Sequence, residues 1–224
     1  MLPEVTPAIE LTRVSRVYGN FAALRNLSLA IPAGASVVIL GENGAGKSTL
    51  LRIIAGLVSP SHGSLTLFGA PAREQSHRLA YMSHETMLYD ELTALENLHY
   101  FAALQSSPQS LAPEAALREV GLDPAIPRRV SEYSQGMKQR ASLARVLLTQ
   151  PDLLLLDEPF SNLDVASAGH MVELLRSYIG TASSTGQPRT LLLTTHQAEL
   201  ARPLANTTLT LQAGQLLSVT EATR

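Results

Sequence analysis

Gly41-Glu42-Asn43-Gly44-Ala45-Gly46-Lys47-Ser48 is the stretch whose reading decides the fold. Before it, Ser36-Val37-Val38-Ile39-Leu40 reads as a buried strand. After it, Thr49 to Leu57 reads as a helix with one apolar face. A strand, a GxxxxGKS loop and a helix in that order form a phosphate-binding loop. Its glycines let successive backbone N–H groups turn inward toward phosphate oxygens, and the helix N-terminus adds partial positive charge. Lys47 is placed to reach the β- and γ-phosphates, and the Ser48 hydroxyl to ligate Mg²⁺. A glycine-rich turn that binds nothing is the alternative, which the flanking strand and helix argue against. The loop implies nucleotide binding and leaves open what the nucleotide drives.

Working outward, Ile9 to Val17 and Leu24 to Ile31 alternate apolar and polar residues as half-buried strands do, with Pro32-Ala33-Gly34 turning the chain toward Ser36. Ser59 to Gly63 is a turn, Ser64 to Phe68 a short strand, and Leu79 to Ser83 another. From Met87 to about Gln150 apolar residues recur at helical spacing, in Leu92 to Leu104, Pro113 to Val120 and Met137 to Leu148. Gln105 to Pro113 and Gly121 to Pro127 are the loops between these helices. Strand character returns at Leu153-Leu154-Leu155-Leu156, an unbroken apolar run of the kind covered on both faces of a parallel sheet. A helix over Val165 to Ile179, a Gly/Ser-rich loop over Gly180 to Pro188, a strand over Thr190 to Thr194 and a short helix over Gln197 to Leu204 follow. Leu209 to Leu211 and Gln215 to Val219 close the chain as a hairpin over Ala213-Gly214. Strands alternating with helices predict an α/β fold with a mostly parallel core sheet.

Composition narrows the functions open to such a fold. Of the 224 residues 45% are apolar, near the globular average, so a sizeable core is expected. A net charge of −2 argues against a nucleic-acid partner held by a broad basic surface. The absence of cysteine excludes disulfides and thiolate metal sites, and fits a reducing compartment. Met1 to Glu10, with Pro3 and Pro7, does not read as a signal peptide. No apolar run approaches the roughly 20 residues that span a bilayer. The chain is therefore expected to be soluble by itself, with any membrane role resting on a partner.

The four leucines run straight into Asp157-Glu158. Two carboxylates at the end of a buried strand cost free energy unless they hold a cation or do chemistry. Beside a phosphate loop, Asp157 is placed to hold Mg²⁺ and Glu158 to polarise an attacking water. For Glu158 alone, a helix start that favours acidic residues is an open alternative.

Five stretches in order resemble the nucleotide-binding subunit of ATP-binding cassette (ABC) transporters, over nearly the whole chain. They are GENGAGKST at Gly41 to Thr49, Tyr133-Ser134-Gln135-Gly136-Met137, LLLLDEP at Leu153 to Pro159, Ser161-Asn162-Leu163-Asp164, and His196. The resemblance implies a P-loop NTPase core with an N-terminal antiparallel β subdomain and a helical subdomain. Residues 1–224 would then be one ABC ATPase domain, with about 1–86 and 151–224 forming the core and β subdomain and about 87–150 the helical part. It implies ATP and Mg²⁺ as cofactors. Residues Gly41 to Thr49 would hold the nucleotide, with Tyr18 stacking on adenine, although a packed strand residue is an equal reading of that tyrosine. Ser134, Gln135 and Gly136 look like the signature segment. It would aim a helix N-terminus at the γ-phosphate bound by a second copy, whereas read alone it is only a helix cap. Asp164 would sit at the dimer seam, and His196 would touch the γ-phosphate and hold Glu158 and water in line.

Two departures from the family pattern stand out. YSQGM replaces the common LSGGQ, keeping the two phosphate-facing positions, Ser134 and Gly136. His84, in Tyr81-Met82-Ser83-His84-Glu85, stands where the family usually has a glutamine that contacts Mg²⁺. Mg²⁺ prefers oxygen donors, so His84 is expected to act through water. That histidine, with Thr93-Ala94-Leu95-Glu96-Asn97-Leu98, is similar to the ATPase of the bacterial haem exporter used in cytochrome c maturation. The resemblance implies a homodimer on an integral membrane permease at the cytoplasmic face of the inner membrane. An exporter of drug, lipid or polysaccharide is the alternative within the family. A soluble relative acting on DNA or ribosomes usually carries a coiled coil or a second cassette, and a small P-loop kinase lacks the Ser134-Gln135-Gly136 segment.

Overall fold

The computed structural model describes residues 6–104, 111–183 and 186–221. The chain opens with a long hairpin, β1 (Pro7–Tyr18) and β2 (Phe21–Pro32), before β3 (Ser36–Leu40) and α1 (Lys47–Ile54). Strands β4 (His62–Leu67) and β5 (Ala70–Pro71) join the hairpin in a four-stranded antiparallel sheet of order β2-β1-β4-β5. A 3₁₀ segment, Ala72–Arg78, leads to β6 (Leu79–Met82). Three helices follow, α2 (Ala94–Ala103), α3 (Pro113–Glu119) and α4 (Gln135–Leu147). The chain then returns through β7 (Leu153–Asp157), α5 (Val165–Ile179), β8 (Thr190–Thr194), α6 (Ala198–Ala201) and a closing hairpin, β9 (Thr207–Gln212) and β10 (Gln215–Glu221). The second sheet has the order β10-β9-β3-β8-β7-β6, parallel except for the edge strand β10.

Strand β7 shows why the sheet sits where it does. All five of its residues are buried. Leu153 and Leu155 face one apolar cluster with α1 and the antiparallel sheet, and Leu154 and Leu156 face the other with α2, α4 and α5. The period of two in a strand sends alternate side chains to opposite faces, so an all-leucine strand needs a core on each side. Each such leucine contributes roughly 2 kcal/mol of apolar burial. The sheet therefore ends in a firm edge, and the carboxylates that follow Leu156 are carried on it.

The helices begin where polar side chains can cap them. Thr93 and Glu96 form a reciprocal capping box on α2. Ser134 caps α4 and Asp164 caps α5. Among the described residues no helix is long and apolar enough to cross a membrane.

Several boundaries differ from the sequence reading. Helix α1 starts at Lys47 instead of Thr49, because the loop's last glycine is itself the cap. It ends at Ile54 instead of Leu57, because Gly56 at φ +73° takes the left-handed conformation that stops a helix. Helix α4 starts at Gln135, right after its Ser134 cap, two residues before the apolar periodicity begins. The 3₁₀ segment before β6 is exposed and carries no periodic signal; Arg78 anchors it through a 2.6 Å ion pair to the buried Asp152. Residues 105–110 of the loop expected over Gln105 to Pro113, and residues 184–185 of that over Gly180 to Pro188, lie outside the described residues.

Candidate nucleotide site

The phosphate loop lies between β3 and α1 at the end of the parallel sheet. Gly46 has φ +102°, and a Cβ there would stand 2.5 Å from the Ala23 carbonyl oxygen. Glycine is thus required twice over, by conformation and by space. No side chain caps α1, so its first N–H groups remain available to a ligand. Lys47 is only 7% exposed. Its Nζ donates to the carbonyls of Gly41 (2.7 Å) and Glu42 (3.3 Å) and lies 3.7 Å from Glu158 Oε1.

Asp157, 2% exposed, ends β7. Three hydroxyls donate to its carboxylate. Thr194 Oγ1 (2.7 Å) and Ser48 Oγ (3.0 Å) bond Oδ1, and Tyr81 OH (3.2 Å) bonds Oδ2. Burial above all, with the Asp157 charge second, pushes the Tyr81 phenol up to about 12, and a hydrogen bond from Arg52 opposes the shift. A carboxylate and a hydroxyl 3.0 Å apart beside a phosphate loop fit Mg²⁺. That ion takes few protein oxygens and completes its shell with phosphate and water.

Glu158 adopts φ +52°. Its backbone N–H donates to the carbonyl (3.1 Å) and the hydroxyl (3.1 Å) of Thr194. The side chain is turned toward His196, whose Nδ1 lies 3.0 Å from Oε2 and whose N–H donates to the same oxygen at 3.3 Å. Ser161 Oγ donates to the Glu158 carbonyl (2.9 Å) and lies 3.3 Å from His84 Nδ1. The strand end after β6 is thereby tied to the strand end after β7.

A cleft of about 880 Å³ gathers most of the predicted site. Gly41 through Thr49, His84, Asp157, Glu158 and His196 all line it. Tyr18, Ser134, Gln135, Gly136 and Asp164 do not. The Tyr18 ring is 43% exposed and lies under the Arg16 guanidinium, 4.4 Å away. The aromatic in the lining is its hairpin partner Phe21, 60% exposed. Sequence reasoning missed Phe21, although a large apolar residue just past Gly19-Asn20 is a legible signal. It also missed Arg52, which lines the cleft without any motif of its own; Ser161 and Asn162, quoted within the Ser161 to Asp164 stretch but given no site role there, line it as well.

The segments outside the cleft form a second group. Ser134 Oγ accepts from the Met137 N–H at 3.2 Å, and Ser134 and Gln135 are exposed. Gly136 packs on α5, where an added Cβ would stand 2.6 Å from Ser167 Oγ. Asp164 Oδ1 accepts from the Ser167 N–H at 2.7 Å, which holds its carboxyl below the usual range. The N-termini of α4 and α5 thus meet around Ser167.

Residues 24–161 match the ABC transporter family. The ABC transporter ATP-binding protein NatA of Bacillus subtilis is 35% identical over 221 residues, covering 93% of this chain and 87% of NatA. Nod factor export ATP-binding protein I of Rhizobium meliloti is 37% identical over 221 residues, 94% of this chain and 63% of that protein. Cytochrome c biogenesis ATP-binding export protein CcmA of Xanthomonas oryzae is 35% identical over 189 residues, 84% of this chain and 86% of CcmA. A dimeric ATP-binding cassette solved in a post-hydrolysis state with ADP and Pi has the same fold, with a TM-score of 0.81 at 24% identity over 96% of this chain and 99% of that one.

Proposed function

This chain belongs to the ABC transporter family as an ATPase of a transport system, and we propose that it powers a bacterial exporter, with haem export for cytochrome c maturation as its cargo class. Two copies would close head to tail on two ATP molecules and drive an integral membrane permease. They would sit peripherally at the cytoplasmic face of the inner membrane. Residues 1–86 and 151–224 would act as the core and residues 87–150 as the helical part.

The observation that carries the reading is the setting of Glu158. One oxygen is 3.7 Å from Lys47 Nζ and the other 3.0 Å from His196 Nδ1, beside the Ser48–Asp157 pair. Lys47 and the loop N–H groups would hold the phosphates. Ser48 and Asp157 would hold Mg²⁺, with His84 reaching it through water, and the bound ion supplies charge stabilisation at the phosphate oxygens. Glu158 would orient and polarise the water, and His196 would keep Glu158 in line. Tyr18 would stack on adenine with Phe21 opposite it in the hairpin. The helix N-terminus at Ser134, Gln135 and Gly136 and the seam residue Asp164 would serve the ATP of the second copy. Catalysis of this kind is mostly positioning and charge stabilisation.

Haem export is supported by His84, by the Thr93 to Leu98 run and by the likeness to CcmA. Export of another cargo is the second reading, favoured by the similar identity to the Nod factor export protein. The mechanism is tested with Glu158→Gln, which should bind ATP, lose turnover about 100-fold or more and run as a dimer on gel filtration. Brisk hydrolysis by that variant removes Glu158 from its role. The cargo is tested in a strain lacking its haem-exporter ATPase, where this chain supplied with its own permease should restore c-type cytochromes. Failure there with intact ATPase activity favours the second reading.

A further inference from the structure

Three strands and one helix converge on Asp157, and one of their contacts has no part in the reading above. Tyr81 pairs with Leu155 across β6 and β7, so Asp157 lies two residues on, on the same face of the sheet. The tyrosine leans along the strand and donates to Oδ2 at 3.2 Å. Thr194, the register partner of Asp157 on β8, donates to Oδ1 from the other side at 2.7 Å. The carboxylate is therefore held at both oxygens by hydroxyls from the two neighbouring strands.

Arg52, exposed on α1 and lining the cleft, lies beside the Tyr81 phenol. A guanidinium has only donors, so it can occupy only the phenol's lone pair. The single phenol proton is left for Asp157, whose carboxylate can only accept. A phenylalanine would pack equally well at this position, so the hydroxyl alone carries any role beyond packing.

We propose that Tyr81, oriented by Arg52, is a positioning residue that fixes the rotation of the Asp157 carboxylate and thereby tunes the affinity of the site for its divalent cation. A cation that takes the Ser48 hydroxyl as a ligand removes one of the three donors to Asp157. Thr194 and Tyr81 are the two that remain, and among the described residues Tyr81 alone donates to Oδ2. Losing it frees the carboxylate to rotate about its last bond.

This rests on the assignment of Ser48 and Asp157 to Mg²⁺, and the test separates the two. In a Glu158→Gln background, ATP affinity is measured with excess Mg²⁺ and with EDTA, using a fluorescent ATP analogue. The ratio of the two reports how strongly metal and nucleotide help each other. In Tyr81→Phe the ratio should fall about tenfold, the low end for the outer partners of metal ligands, with affinity in EDTA within about twofold of the parent. With Glu158 intact, the Mg²⁺ concentration for half-maximal hydrolysis should rise, and added Mg²⁺ should recover most of the lost kcat. Arg52→Met should shift the ratio in the same direction by less, and the double variant should be no worse than Tyr81→Phe, since Arg52 acts through the hydroxyl. An unchanged ratio in Tyr81→Phe overturns the proposal, as does equal weakening with and without metal, or full additivity of the two substitutions. A parent whose ATP affinity and hydrolysis both ignore Mg²⁺ overturns the metal assignment itself.

Discussion

The cleft and the α4–α5 junction are both built from polar groups at the ends of regular elements, yet their states differ. In the cleft the charged groups at its centre already have partners from this chain. Lys47 lies on two carbonyls, Asp157 holds three hydroxyls, and Glu158 holds His196. At the junction the capping oxygens of Ser134 and Asp164 are satisfied locally, but the side chains are exposed and do not line the cleft of the phosphate loop. A polar group held by its own chain is preorganised for a small ligand, whereas an exposed helix N-terminus waits for something brought to it. The difference suits the proposed division, in which one region would bind nucleotide and the other would complete a site on a second copy.

The largest effect should come from breaking the cleft. Lys47→Ala removes the ammonium and leaves Glu158 without its cation, and turnover should fall at least about 100-fold in a steady-state phosphate-release assay. If hydrolysis persists, the cleft is not the working half. The next effect sharpens the contrast. Gly136→Ala forces a methyl against Ser167 and should displace the α4 and α5 N-termini together. Turnover should fall about tenfold or more while ATP affinity of the single chain stays within about twofold, because Gly136 does not line the cleft. Adding Ser167→Gly should restore part of the loss; a loss of ATP affinity instead would merge the two regions into one.

The smallest effect concerns Asp164. Its carboxyl is held below the usual range by the Ser167 N–H, so it is favoured ionised in the folded chain. Stability from this cap is present above the ordinary aspartate range and is lost as pH falls through the lowered value. The Tm difference between the parent and Asp164→Asn should therefore be small and should shrink on acidification below about pH 4. A difference that grows in acid would mean that the carboxylate is not the capping species.

What the sequence made legible depended on range. The phosphate loop and the leucine strand carry their meaning within a few residues, because strand, turn and helix are local patterns; both strands form as read and only the ends of α1 differ. Of the partners of Asp157, Ser48 was legible only through the shared ion, and Tyr81 and Thr194 were not legible. These two are separated from it by 76 and 37 positions, and only the parallel register of β6, β7 and β8 brings them together. Phe21 was passed over because the strand was expected to begin only at Leu24, whereas it begins at Phe21 itself. Position 84 was singled out by comparison with a family pattern, but its contact with Ser161 belongs to the packing of two strand ends.

The crowding at Gly46 has a consequence for how this protein can vary. Backbone from three remote places, Ala23, Gly46 and Gly214, converges so tightly that a methyl on either glycine would run into the Ala23 carbonyl. Gly214 also donates to the Ala45 carbonyl and accepts from the Arg25 N–H. The hairpin that presents the aromatic ring, the loop that would receive phosphate and the closing strand pair are in effect spliced at one point. A saturation library at positions 46 and 214 should return glycine alone, and inherited drift at this junction should be confined to the side chains around it.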